Sequence, residues 1–141
     1  MIIKQLSVFL EDKTGRLTDV TRILAENDIN LSAFSIADAP DYGILRMIVG
    51  RPELALKVLR ENGFSANTTD VVCMIIPNKP GGLHKCLDII SQNGIAIDYM
   101  YAYAMGESAS AVIRTASINQ LIEVLLKNKL ELIKSSDIYQ V

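Results

Sequence analysis

Glu11-Asp12-Lys13-Thr14-Gly15-Arg16-Leu17 decides the reading of this chain. An apolar strand-like run precedes it and an amphipathic helical pattern follows. The motif returns as Pro77-Asn78-Lys79-Pro80-Gly81-Gly82-Leu83, with Gly15 and Gly81 66 residues apart. A glycine turn between strand and helix exposes main-chain N–H groups beside the positive end of a helix dipole. Such a turn is suited to hold a small anion, for example a carboxylate. The plainer reading is that glycine eases a tight connection.

The same offset aligns much of the two halves. Lys13 falls on Lys79, Leu17 on Leu83, Ile23 on Ile89, Asn27 on Asn93 and Ile29 on Ile95. Towards the end of each half, Val58 falls on Val124, Leu59 on Leu125 and Asn62 on Asn128. Apolar character repeats at Leu6/Val72, Val8/Met74, Leu10/Ile76 and Val20/Cys86. One gapless register through strand, turn and helices marks an internal duplication.

Outward from the first turn, Leu6, Val8 and Leu10 alternate as in a half-buried strand over 2–10. Thr14 is an expected N-cap. A helix over 15–27 places Leu17, Val20, Ile23 and Leu24 on its buried face. Residues 29–38 form a strand whose alternation changes phase, which predicts a bulge near Ser32-Ala33. Asp38 to Gly43 is a hairpin turn, 44–50 a strand, and Pro52 opens a helix that ends at Gly63. A short strand over 64–70 closes the first half, and a separate one over 71–77 opens the second. The second half then predicts a helix over 81–93, strands over 95–105 and 109–115, a Ser117–Gln120 capping box, a helix to about Lys129 and a last strand over 130–138. The fold class is α+β: two ferredoxin-like βαββαβ modules in tandem, 1–70 and 71–141, each an antiparallel sheet with helices on one face.

The 141 residues are 50% hydrophobic with a net charge of −2, which disfavours nucleic acid as a partner. No apolar run is long enough to span a bilayer, and the first residues do not read as a signal peptide. Cys73 and Cys86 make no disulfide framework, so reduced thiols in the cytoplasm are expected. His84 is the sole histidine and reads as a solvent-facing residue of a first helical turn; Cys86 reads as a small core hydrophobe. The two lie on different helix faces and form neither a metal pair nor a nucleophile–base pair. Tyr99, Tyr101 and Tyr103 share one strand face. With a second bulge at Asp98-Tyr99, that face points away from the helices. Packing against another surface accounts for these tyrosines better than base stacking does, because basic strand residues are lacking. No catalytic set, metal cluster or phosphate loop is present, so the chain is expected to be neither an enzyme nor a cofactor carrier.

Asp12-x-x-Gly15-x-Leu17, Ile23-Leu24 and Asn27-Asp28-Ile29-Asn30-Leu31 resemble the ACT domain, a small regulatory module that binds amino acids. Asn78-x-x-Gly81-x-Leu83, Ile89-Ile90 and Asn93-Gly94-Ile95-Ala96-Ile97 resemble it again. The resemblance covers essentially the whole chain as a tandem pair. It implies modules joined edge to edge through their second strands into one eight-stranded sheet, with the ligand at the seam. In that geometry the turn backbone meets a carboxylate, and residues early in the facing strand meet the amine or side chain. One implied site combines Asp12, Lys13, Thr14, Gly15, Arg16 and Leu17 with Ala96, Ile97 and Asp98. Its mirror combines Asn78, Lys79, Pro80, Gly81, Gly82 and Leu83 with Asn30, Leu31 and Ser32. Ala96 replaces Asn30, so the second turn with Asn30 is favoured. The implied function is regulatory sensing of a free amino acid, in a homodimer that acts on a regulated enzyme or regulator. The alternative is an oligomerisation module without a ligand.

Overall fold

The computed structural model describes residues 1–140, apart from the side chains of Ala39 and Met105. The chain divides into two compact units. The N-terminal unit contains Lys4–Thr69 together with the segment from Ser136 onward. The C-terminal unit contains Asp70–Ser135 together with Met1–Ile3.

In the N-terminal unit, β1 (Ile2–Glu11) leads to α1 (Arg16–Glu26), then to β2 (Leu31–Ala39), β3 (Tyr42–Val49) and α2 (Pro52–Glu61). The first residues of β4 (Ser65–Pro77) complete the antiparallel order β2-β3-β1-β4. One core fills the space between sheet and helices. It contains Leu6, Val8 and Leu10 from β1, Val20, Ile23 and Leu24 from α1, Leu45 and Met47 from β3, and Ala55 and Leu59 from α2. The C-terminal unit repeats the plan with the rest of β4, α3 (Gly82–Gln92), β5 (Tyr99–Met105), β6 (Ser108–Arg114), α4 (Ile118–Lys127) and β7 (Glu131–Leu132). Its core is that set moved by 66 residues, without the half-buried Ile89 that stands for Ile23: Val72, Met74, Ile76, Cys86, Ile90, Ala111, Ile113, Leu121 and Leu125. The apolar repeat is therefore a repeat of core positions, in α+β units of ferredoxin-like topology.

The repeated asparagines have a structural role. Asn27, Asn62, Asn93 and Asn128 each cap the C-terminus of a helix. Each side-chain amide donates to the carbonyl four residues earlier, at 2.7–2.8 Å. The next residue in every case, Asp28, Gly63, Gly94 or Lys129, has positive φ and turns the chain out of the helix.

The bulge lies where the phase change predicts it: the β2–β3 register shifts between Leu31 and Ala33. Several expectations need correction. The strands expected over 64–70 and 71–77 are one 13-residue strand, because Asn67-Thr68-Thr69-Asp70-Val71 has neither glycine nor proline to end it. β5 starts at Tyr99, so the strand expected from 95 begins late. Gly94, Ala96 and Asp98 are poor strand formers, and the Thr115 hydroxyl donates to the Ala96 carbonyl at 2.8 Å. No second bulge occurs, since β5 and β6 pair in unbroken register from Tyr99↔Arg114 to Met105↔Ser108. Met100 packs on the core, so the tyrosine face still points away from the helices. The strand expected over 130–138 is reduced to Glu131–Leu132 and a 3-10 turn over Ser135–Asp137, in keeping with the polar run Lys134-Ser135-Ser136-Asp137. Neither Thr14 nor Ser117 caps a helix through its side chain. Gln120 reaches the Asn93 carbonyl instead of completing a capping box.

From Ser136 the chain belongs to the N-terminal unit. The Tyr139 hydroxyl accepts from the Lys4 N–H at 2.7 Å. The Gln140 main-chain N–H donates to the Gly50 carbonyl at 2.7 Å. Its side-chain amide accepts from the Asn30 N–H and donates to the Asp28 carbonyl, each at 2.8 Å. A Cβ on Gly50 would collide with the Gln140 side chain. Gln140→Ala is expected to cost about 1 kcal/mol, the worth of a net hydrogen bond or two at an exposed site. It should also speed amide exchange at Asn30 without affecting Leu59. Urea melts and hydrogen exchange check this, and unchanged exchange at Asn30 would contradict it.

Candidate functional site

Both turns that open the sequence analysis are built alike. Gly15 (φ 90°) and Gly81 (φ 85°) are the N-caps of α1 and α3, both in the left-handed region and without a side-chain cap. The chain turns tightly around them: the Lys13 N–H donates to the Glu11 carbonyl at 2.8 Å, and the Lys79 N–H to the Pro77 carbonyl at 3.0 Å. The N–H groups of Gly15 and Gly81 find no acceptor among the described residues. A side chain at either glycine would meet no atom within 4 Å, so only backbone strain selects glycine there. Gly82 differs, because a Cβ would run into the Pro77 carbonyl.

A hollow of about 390 Å³ lies beside the first turn. It is lined by Leu10 to Lys13, Arg16 and Leu17, and by Ile36, Asp38, Tyr42 and Gly43 from the β2–β3 hairpin end. A smaller hollow of about 240 Å³ lies beside the second turn. Its walls include Ile76 to Lys79, Leu83, Ala102, Ala104 and Ala109. These are the first hollow's positions moved by 66 residues. The site is thus duplicated along with the scaffold. Leu17 and Leu83, 37% and 41% exposed, line the hollows; the placement of Leu17 on the buried helix face is corrected accordingly. On the core side, the rows Val20-Ile23-Leu24 and Cys86-Ile90 already fill the space beneath each helix.

The two hollows differ in charge. The first carries Lys13 and Arg16 together with Glu11, Asp12 and Asp38. Lys13 Nζ stands 2.9 Å from Glu11 Oε2. The Arg16 guanidinium lies 4.7 Å from the Phe64 ring centroid and 3.4 Å from Asp19. Its Nε is buried without a hydrogen bond. The second hollow has Asn78, Lys79 and Tyr103 and no acidic wall. The hydrogen bond and charge of Lys13 hold the Glu11 carboxyl below its ordinary value of 4.5.

Each hollow borders an outer strand. β2 pairs only with β3, and β5 only with β6, among the described strands. Phe34 and Ile36 on β2 are 59% and 47% exposed. Asn30 precedes β2, with its N–H taken by Gln140, and Leu31 and Ser32 sit at the bulge. Ala96, Ile97 and Asp98 precede β5; the Asp98 N–H donates to the Arg114 carbonyl. Of the expected turn residues, Asp12, Lys13, Arg16 and Leu17 line the first hollow and Asn78, Lys79 and Leu83 the second; Thr14, Gly15, Pro80, Gly81 and Gly82 line neither, and nor do the expected facing-strand residues. Sequence reading missed Ile36, Asp38, Tyr42 and Gly43. The antiparallel register Leu10↔Gly43 and Glu11↔Tyr42 brings the hairpin end to the turn, which the predicted topology already implied.

His84 is exposed and Cys86 buried. Burial pushes the Cys73 thiol up to about 12, and raises the Cys86 thiol against the opposing charge of Lys85. Neither is poised as a nucleophile. Among the described residues, no group of three or more His, Cys, Asp or Glu is placed to hold a metal, and no helix is long and apolar enough to cross a membrane.

A duplicated ferredoxin-like unit with a glycine-capped turn beside an outer strand matches one family along its whole length. The profile of the ACT domain pair covers residues 1–141. The chain belongs to the ACT domain pair family. Protein BT0572 from Bacteroides thetaiotaomicron is 49% identical, with 100% of this chain and 98% of that one covered and a TM-score of 0.95. The ligand-free regulatory subunit of aspartate kinase from Thermus thermophilus shares the fold at 16% identity (88% and 90% covered, TM-score 0.68). E. coli aspartokinase III in complex with lysine and aspartate does so at 16% (91% of this ACT pair, 31% of that chain, TM-score 0.59). No curated protein matches the sequence.

Two expectations test this geometry. Gly81→Ala should destabilise the protein by about 1–2 kcal/mol, the cost of a left-handed non-glycine residue, with the fold kept; equilibrium unfolding measures it. Because the Glu11 carboxyl is depressed in the folded state, its contribution is present above the unfolded-state value and fades as pH falls through the folded one. Lys13→Met should move the Glu11 titration, followed by NMR, up towards 4.5.

Proposed function

We propose that this ACT domain pair is a non-catalytic regulatory sensor for a free amino acid. The ligand lies in the hollow beside a glycine-capped turn, completed by the outer strand of a second module. The observation that carries the reading is the hollow beside Gly15. Lys13 and Arg16 for a carboxylate, and Asp12 and Asp38 for an ammonium, stand on the walls of one pocket of amino-acid size, next to the turn whose Gly15 N–H has no acceptor among the described residues. A zwitterion needs both, and the second hollow lacks the acidic half. The charge pattern favours the first turn over the second, and leaves the second site to a ligand held by its carboxylate.

Family membership supports a regulatory role. Two fold relatives are a kinase regulatory subunit and an aspartokinase bound to lysine and aspartate. The exposed outer strands β2 and β5 support pairing with another module, as in a homodimer, and the apolar side chains Phe34 and Ile36 suit such a contact. Occupancy would pass to a regulated enzyme or regulator only if the ligand prefers one arrangement of the modules. Modules 1–70 and 71–141 are the two units we infer to carry such hollows, and the setting we infer is the cytoplasm.

Thermal unfolding of the full chain with each amino acid tests the reading. A true ligand at about 100 times its dissociation constant adds roughly 2.7 kcal/mol. Gly15→Asp should abolish the shift, because a carboxylate then occupies the anion position, and Asp38→Ala should weaken it. If no amino acid shifts the transition, the oligomerisation module without a ligand is the better description.

A further inference from the structure

We propose that a second hollow, on the helix side of the Pro80-Gly81-Gly82 turn, binds a small apolar carboxylate that lacks an amino group. The hollow measures about 400 Å³ and lies between the start of α3 and the end of α4. Its floor and walls are apolar: Pro77, Pro80, Cys86, Ile89 and Leu130. Its polar rim is Lys79, Lys85 and Asn128, and no lining residue is acidic.

The duplication provides an internal control. At the matching place in the N-terminal unit, Arg16 lies across Phe64 and bonds to Asp19, while Lys13 is paired with Glu11. There a guanidinium and an aromatic ring take up space beside the helix, and each cation has an acidic neighbour. In the C-terminal unit every one of those features is changed except the lysine. Gly82 stands for Arg16, Leu130 for Phe64, Lys85 for Asp19 and Pro77 for Glu11. The exchange removes a guanidinium and an aromatic ring, which opens space. It also removes both carboxylates and adds a cation, so Lys79 and Lys85 have no ion-pair partner among the described residues.

An apolar hollow with two unpaired ammonium groups at its mouth selects an anion with a hydrocarbon body. An α-ammonium group gains nothing there, because no carboxylate is present to receive it and its desolvation goes uncompensated. The preferred ligand is therefore a branched or aromatic monocarboxylate rather than the corresponding amino acid. This site is separate from the strand-side hollows, although Lys79 borders one of them.

The test compares 4-methylpentanoate with leucine, which has the same skeleton plus an amine. Methyl NMR of the full chain follows Ile89 and Leu130. The expected result is saturable shifts at both residues with 4-methylpentanoate, and at least about tenfold weaker binding of leucine, the equivalent of roughly 1.4 kcal/mol. Leu130→Phe, copying Phe64, should fill the hollow and abolish the shifts at Ile89. Lys85→Asp, copying Asp19, should weaken binding about tenfold or more without touching the core, and decides the matter if the larger side chain disturbs folding. Equal or better binding of leucine, an absence of shifts with either compound, or undiminished binding by Lys85→Asp would overturn the proposal. Gly15 and Asp38 take no part, so failure here is distinct from failure of the amino-acid site.

Discussion

A glycine held at positive φ stops the first strand of each unit and starts its helix without a side-chain cap. The geometry around the candidate site depends on that constraint. Where serine or aspartate caps a helix, its own oxygen consumes an early N–H. At Gly15 and Gly81 no such oxygen is present, so the N–H of the capping residue itself stays without an acceptor among the described residues. The same turn sets the direction of α1 and α3. It thereby carries Leu17 and Leu83 out of the core and onto the hollow wall. Helix direction and anion-binding capacity have a common origin in one backbone conformation.

Duplication kept the scaffold and released the chemistry. Core positions repeat with volume adjusted locally, as in Leu45/Ala111 and Ala55/Leu121, where one large and one small residue exchange places. This is the pattern expected when packing constrains total volume more than identity. The four asparagine caps repeat unchanged, each adding a side-chain donor to a carbonyl in the last turn of its helix. The residues around the turns obey neither constraint. Glu11, Asp12, Arg16, Asp19 and Asp38 all lose their charge or change its sign in the second copy. One unit keeps a mixed-charge corner while the other becomes cationic, on backbones of the same plan.

The fold was legible because its signals are periodic. Alternation in β1, the helical rows of α1 to α4, and the bulge marked by Leu31 and Phe34 follow from local sequence. The exceptions involve groups distant in sequence. The Thr115 hydroxyl engages the Ala96 carbonyl and delays β5; Gln120 reaches Asn93 instead of its own helix start. The end of the chain joins the N-terminal unit through Gln140, two residues past the last strand that the sequence predicts. Half of the candidate site was legible for the same reason. Asp12 to Leu17 form one contiguous motif, whereas Ile36, Asp38 and Tyr42 reach the hollow only through strand register.

The outer strands bear on why a site should stand at this place. β2 has Phe34 and Ile36 largely exposed beside a row of main-chain groups with no neighbouring strand among those described. Such an edge invites pairing unless something blunts it. The bulge at Leu31–Ala33 breaks the ladder at the start of β2, and Gln140 takes the Asn30 N–H just ahead of it. The pairing-competent stretch is thereby limited to the part of β2 that runs past Ile36 and Asp38, alongside the hollow. A strand added there would roof the hollow, exclude water from Lys13, Arg16 and Asp38, and strengthen their hold on a zwitterion. On the proposed function, ligand binding and module pairing would then favour each other through shared desolvation. That is the coupling a sensor requires, and it needs no moving part within the unit.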